Sequence, residues 1–147
     1  MGLDQFIRKI SKRKAHLWGI PDPPEEVGAS FHRVPKHHSL TNEVAYWRGH
    51  RHLNRWMMAL AHDRVDPQHR ADLDYEVMNG APILLRTEDV VALHMEATFG
   101  TLFSDHYRDL GYYAAGKIAI DENIDTLSRC LRISKCNRSY LYYVASW

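Results

Sequence analysis

Thr41-Asn42-Glu43-Val44-Ala45-Tyr46-Trp47-Arg48-Gly49-His50-Arg51-His52-Leu53-Asn54-Arg55-Trp56-Met57-Met58-Ala59-Leu60-Ala61-His62 is the most strongly patterned stretch of the sequence. At about 100° per residue, Ala45, Tyr46, Trp47, Gly49, Leu53, Trp56, Met57, Met58, Leu60 and Ala61 cover more than half of a helical circumference. Arg48, Arg51, His52, Arg55 and His62 collect on the remaining arc. The pattern predicts one helix from an N-cap at Thr41 or Ser39 to about His62. A helix apolar over so wide an arc belongs at the centre of its domain. Gly49 inside it costs about 1 kcal/mol relative to Ala and points to a close backbone approach by another element. His50 and Asn54 fall one turn apart within the apolar arc. They read either as a structural hydrogen-bond pair, with a tyrosine from Tyr140–Tyr143 as third member, or as a polar patch lining a ligand pocket.

Upstream, Leu3, Phe6, Ile7, Ile10 and Leu17 recur at helical spacing and Gly19 follows them. This predicts a basic amphipathic helix within residues 1–19, from about 3 to 17, with Arg8, Lys9, Lys12, Arg13 and Lys14 on its solvent side. Residues 20–40 hold Pro21, Pro23, Pro24 and Pro35 and read as an irregular connection, interrupted by an extended piece at Ser30–Val34. Downstream, Leu73, Tyr75 and Val77 alternate with acidic residues, and Asn79-Gly80 precedes Pro82–Arg86. That is a hairpin pattern, with Pro82 placing the second strand at an edge. Thr87 is positioned to cap a helix over Glu88–Ala97, Ser104 a short helix to about Tyr107 or beyond, and Asp121 a helix with Ile124, Leu127 and Leu131 inward. The tyrosines and β-formers of Ser139–Trp147 predict a closing strand. The expected fold class is α+β: a single domain over 1–147, with a core from 41 onward in which central amphipathic helices pack on a small, mostly antiparallel sheet.

A chain of 147 residues and 17.1 kDa fits one domain. Its 45% hydrophobic and 25% charged residues exclude disordered and fibrous classes. No apolar run is longer than Trp56–Ala61, far below the roughly 18 residues of a membrane span, and no apolar signal-peptide core follows the basic N-terminus. With only Cys130 and Cys136, a disulfide framework is ruled out. A cytoplasmic protein without membrane association is expected. The formal net charge of +1 does not favour nucleic acid as a partner. The charge is unevenly spread, however. Residues 1–60 carry ten Lys and Arg against five Asp and Glu, whereas residues 61–147 carry nine against thirteen. Two readings remain open: internal complementarity within the domain, and a basic face for an anionic partner.

Ten histidines invite a metal reading. His50 and His52 are two apart, about 200° round a helix, and do not chelate one ion together; His32, His37 and His38 lie in the irregular connection, and no Cys pair completes a known ligand pattern. No metal or cofactor is therefore assigned. There is no G-x-S-x-G, no phosphate-cradling Gly-rich loop and no H-E-x-x-H, so no residue is assigned a catalytic role. The stripe Arg48, Arg51, His52, Arg55 and His62 suits carboxylates or phosphates through bidentate guanidinium contacts; alternatively it is a solvated face, or pairs with Asp72, Asp74 and Glu76.

Several separated segments resemble one group of small proteins common in bacteriophages and prophages. Met1-Gly2-Leu3-Asp4 resembles the family's MGLD opening, and Glu43-Val44-Ala45-Tyr46-Trp47-Arg48-Gly49, with Leu53 and Trp56-Met57, resembles its E-V-x-Y-W-R helix. Leu84-Leu85-Arg86-Thr87-Glu88-Asp89-Val90 is similar to its strand running into a T/S-x-E-D-L helix. Tyr112–Gly116 resembles an aromatic-glycine turn, and Tyr142-Tyr143-Val144-Ala145-Ser146-Trp147 a Y-Y-x-S-S-W ending. Gln5-Phe6 and Asn54 depart from the family's Met-Tyr and His. The family has no established activity, so the resemblance implies a phage or prophage origin and not a mechanism. It also singles out Arg48 through the Tyr46-Trp47-Arg48 unit.

The resulting expectation is a non-enzymatic phage accessory protein that binds and modulates or inhibits a host macromolecule, a host protein in the host cytoplasm. The expected binding residues are Arg48, Arg51, His52 and Arg55, with Tyr46, Trp47 and His50. The alternative is a nucleotide- or phosphate-binding protein, the ligand held by Arg48 and stacked on Trp or Tyr. A third reading is a histidine-based metal enzyme.

Overall fold

The computed structural model describes residues 3–22, 24, 41–109 and 113–146. Four strands, β1 (Asp4–Ser11), β2 (Thr41–Arg48), β3 (Ile83–Leu85) and β4 (Ser139–Ser146), form one antiparallel sheet in the spatial order β2-β1-β4-β3. Six α-helices and a 3-10 turn (Pro67–His69) complete the described chain: α1 (Lys12–Leu17), α2 (Arg51–His62), α3 (Arg70–Met78), α4 (Thr87–Phe99), α5 (Leu102–Asp109) and α6 (Tyr113–Cys136). The fold class is α+β, as the residue pattern implies. Among the described residues no helix is long and apolar enough to cross a membrane. The Pro-rich connection from 25 to 40, with Ser30–Val34, His32, His37 and His38, lies outside the described residues.

The stretch 41–62 is not one helix but a strand, an elbow and a helix. Thr41, Val44, Tyr46 and Trp47 are β-branched or aromatic and favour a pleated surface. Gly49 then takes φ +67°, a left-handed conformation that ends the strand and turns the chain into α2. A Cβ on Gly49 would meet nothing within 4 Å, so the glycine is needed for its dihedral angle and not for the close approach expected of it. His50 caps the helix, its Nδ1 accepting the Leu53 N–H at 3.0 Å. Ala45 and Trp47 of the strand, and Leu53, Met57 and Ala61 of the helix, enter the same core. This shared destination makes the two periods run together into one helical pattern.

The basic helix expected over 3–17 is corrected in the same way. Residues 4–11 are strand, and only Lys12–Leu17 is helical, capped by the Ser11 side chain accepting from Lys14 N–H. Leu3, Gln5 and Ile7 are buried on one face of β1, with Phe6, Arg8 and Ile10 on the other. A central strand covered on both faces carries apolar residues at both parities, and the spacing of 3, 6, 7 and 10 then mimics a helix. The first strand of the expected hairpin is instead helix α3, which buries Leu73 and Val77 one turn apart and leaves Tyr75 76% exposed. β3 does follow Pro82, at the sheet edge. Helix α4 begins from Arg86 rather than from a Thr87 cap: the Asp89 carboxylate accepts the Arg86 N–H at 2.7 Å and binds the Arg64 guanidinium. Asp121 lies within α6 and does not start it.

Helices α2 to α6 cover one face of the sheet. Leu53, Met57, Val77, Leu93, Phe103 and Leu127 meet Ile7, Trp47, Ile83, Leu141 and Tyr143 there. On the opposite face Ala15 of α1 and Ile20, with Trp18, pack on Ile10, Leu84, Tyr140, Tyr142 and Val144. Burying such side chains contributes about 1.5–3 kcal/mol each.

Candidate functional site

The elbow between β2 and α2 is fixed by a buried polar network. Gln5 projects from β1 toward the helices. Its Oε1 accepts the His50 N–H at 2.8 Å, and its Nε2 donates to the His50 carbonyl at 3.1 Å and to the Tyr143 hydroxyl at 2.9 Å. Tyr143 of β4 donates onward to Asn54 Oδ1 at 2.9 Å, and Asn54 Nδ2 reaches Met78 Sδ at 3.2 Å. His50 and Asn54 are thus joined with a tyrosine, in the structural version of the two readings. Burial holds the Tyr143 phenol above its usual pKa. The network ties β1, β4 and α2 at one point, which is a positioning role.

His50 is 1% exposed. Its ring stacks on that of His106 with centroids 3.8 Å apart and planes 18° apart, while Phe103 meets it edge-on at 5.0 Å and His52 stands 5.9 Å from His106. Because Nδ1 accepts a backbone N–H, the neutral ring carries its proton on Nε2. Burial, reinforced by the nearby His106 and His52, lowers its pKa to about 3. Stacked imidazoles present their nitrogens in parallel planes rather than toward one point. Among the described residues no group of three or more His, Cys, Asp or Glu is arranged to hold a metal ion.

The remaining expected site residues separate. Trp47 faces the core at 7% exposure, and its Nε1–H donates to Asn123 Oδ1 at 2.6 Å, so its ring offers no platform to a surface ligand. Tyr46 and Arg48 point to the opposite face of the sheet, where Tyr46 donates to Asp4 Oδ1 at 2.8 Å and packs on Phe6. The bond to Asp4 raises the Tyr46 pKa. The register sets Arg48 across from Asp4, and Arg8 across from Glu43, so this face is balanced in charge. Arg51 and Arg55 are exposed one turn apart on α2, with His52 half-buried beside them. His62, at the far end of α2, contacts Asp74 of α3 at 2.5 Å.

The chain matches no protein-family model, no curated protein and no solved structure.

An open groove of about 490 Å³ runs along α6, lined by Glu122, Asp125, Thr126, Ser128, Arg129 and Arg132. At its side His94 Nε2 lies 3.0 Å from Ser128 Oγ. Ser128 donates its proton to the Ile124 carbonyl at 2.8 Å, so His94 is the donor in that pair and the hydroxyl is not activated as a nucleophile. The residues that sequence reasoning missed are Gln5, His106 and Asn123. Gln5 did carry a signal: a polar residue alternating with Leu3 and Ile7 on an inward-facing strand parity.

Proposed function

We propose that this chain is a non-enzymatic phage accessory protein that binds a host macromolecule in the host cytoplasm through the cationic start of α2, formed by Arg51 and Arg55 with His52. One observation carries the reading. α2 contains no acidic residue, and its two arginines sit in its first turns, one turn apart. Like charges at that spacing destabilise a helix by about 0.2–0.5 kcal/mol, and cations at the positive end of the helix dipole by roughly 0.3–1 kcal/mol. Among the described residues neither guanidinium has an ion-pair partner to offset this. A local rule broken without compensation is characteristic of a functional surface. The phage assignment rests on the sequence resemblance.

The double reversal Arg51→Glu/Arg55→Glu tests it. The variant gains up to about 1 kcal/mol of stability from the dipole and loses the host macromolecule that the unaltered chain retains from host lysate. Equal retention by both proteins refutes the assignment of the surface.

A further inference from the structure

The sheet order leaves one edge of β2 unpaired among the described residues. The register of that strand is unusual. Arg48, Tyr46 and Glu43 stand opposite Asp4, Phe6 and Arg8, two rungs apart each, because the ladder shifts at Ile7/Arg8 and Val44 takes no rung. In a regular strand Glu43 and Arg48, five residues apart, face opposite sides. The bulge at Val44 brings them to the same face, at equal distances on either side of Tyr46. All three side chains are exposed, Tyr46 by 48%.

We propose that β2 pairs antiparallel with β2 of a second copy of this chain about a two-fold axis at Tyr46, joining the two sheets into one of eight strands. The occupant follows from the charges. Such an axis sets Tyr46 against Tyr46 of the second copy and Glu43 against Arg48 of the second copy, with the reciprocal pair on the other side. On the inner face Trp47 then lies across from Ala45, a large residue against a small one. Opposite charges and aromatic pairs directly across an antiparallel ladder are stabilising, and an isologous interface repeats each of them twice. A bulge on an edge strand ordinarily blunts it against pairing. This bulge creates the self-complementary pattern, since without it the two charges fall on different faces.

Sedimentation velocity across micromolar to near-millimolar concentrations tests the pairing. The unaltered chain passes from monomer to dimer. Glu43→Arg and Arg48→Glu each place two like-charged pairs across the axis and weaken the dimer by about tenfold or more. Mixed in equal amounts, the two variants associate with each other, because every pair across the axis is again of opposite sign; the double variant E43R/R48E recovers self-association. Circular dichroism confirms folding, since each single reversal also faces a like charge on β1. Should either fail to fold, Tyr46→Cys in a Cys136→Ser background reads the axis directly, by disulfide-linked dimer under oxidation. A monomer at every concentration, single variants that dimerise as tightly as the unaltered chain, a mixture no tighter than its components, or the absence of the crosslink overturns the proposal.

Discussion

Tyr143→Phe removes one oxygen from the centre of the polar network and nothing else. The hydroxyl accepts from Gln5 Nε2 and donates to Asn54 Oδ1, each at 2.9 Å. Gln5 Nε2 keeps its second bond to the His50 carbonyl, so the amide is left half-satisfied rather than stranded. At about 1 kcal/mol per buried hydrogen bond the substitution costs about 2 kcal/mol. In a domain of this size that lowers Tm by roughly 4–8 °C. Urea denaturation followed by tryptophan fluorescence measures the loss, with an unchanged m-value confirming that the same surface unfolds. A double-mutant cycle with Asn54→Ala isolates the second bond, with a coupling of about 1 kcal/mol. Gln5→Ala costs more, about 3–5 kcal/mol, because the buried His50 N–H and C=O both lose their partner. A loss below about 0.5 kcal/mol for Tyr143→Phe, or strict additivity with Asn54→Ala, refutes the view that this network sets the elbow.

Three further outcomes follow from the same geometry. The folded-state pKa of His50 lies at about 3, below its ordinary 6.5, so the unfolded chain takes up the proton first as pH falls. Its contribution is complete above pH 6.5 and is lost between there and about 3, with a slope of up to about 1.4 kcal/mol per pH unit; in His50→Asn, which keeps a capping side chain, acid titration of stability is shallower over that window, and an unchanged slope contradicts the assignment. Gly49→Ala costs about 1 kcal/mol because of φ +67° alone, while Gly49→Asn costs less, as measured by chemical denaturation; a clash-sized loss of 3 kcal/mol or more for both contradicts the open surroundings of that Cβ position. Finally, Cys130 is buried with its pKa raised by burial to about 11, whereas Cys136 is exposed. One thiol therefore reacts rapidly with a disulfide reagent in the native protein and two in denaturant, and rapid reaction of both in the native state refutes the packing of α6.

The sequence revealed those elements that carry a local signal of their own. Helix α4 was legible from the acidic first turn Glu88-Asp89, and β4 from its run of tyrosines and β-formers. The basic start of the chain and the stretch 41–62 carry a helical period without being helices throughout, for one physical reason. Where a strand is covered on both faces, or runs straight into a helix that shares its core, the apolar residues no longer follow a period of two. Gly49 was the available signal, since a glycine flanked by aromatic and β-branched residues on one side and by Leu53-Met57-Ala61 spacing on the other marks a change of element. For the site, His50, Asn54 and a C-terminal tyrosine were visible as a buried polar set. Gln5 was hidden by the helical reading of its segment. His106 and Asn123 come from distant helices, and no local pattern announces them. The split of Tyr46, Trp47 and Arg48 onto two faces follows directly once their strand is recognised.

The pairing of β1 with β4 joins residues 4–11 to residues 139–146 at the middle of the sheet. During synthesis β1 leaves the ribosome before β4 and waits for it while the intervening chain is made. At cellular elongation rates that interval is on the order of ten seconds, far longer than helices and hairpins need to form. Once β2 has followed, β1 has β2 on one side and an open ladder on the other, where a nascent extended segment can dock. Strand β4 therefore acts as a latch: a chain cut before residue 139 retains six helices' worth of sequence and lacks the strand that closes the sheet around Ile7 and Ile10.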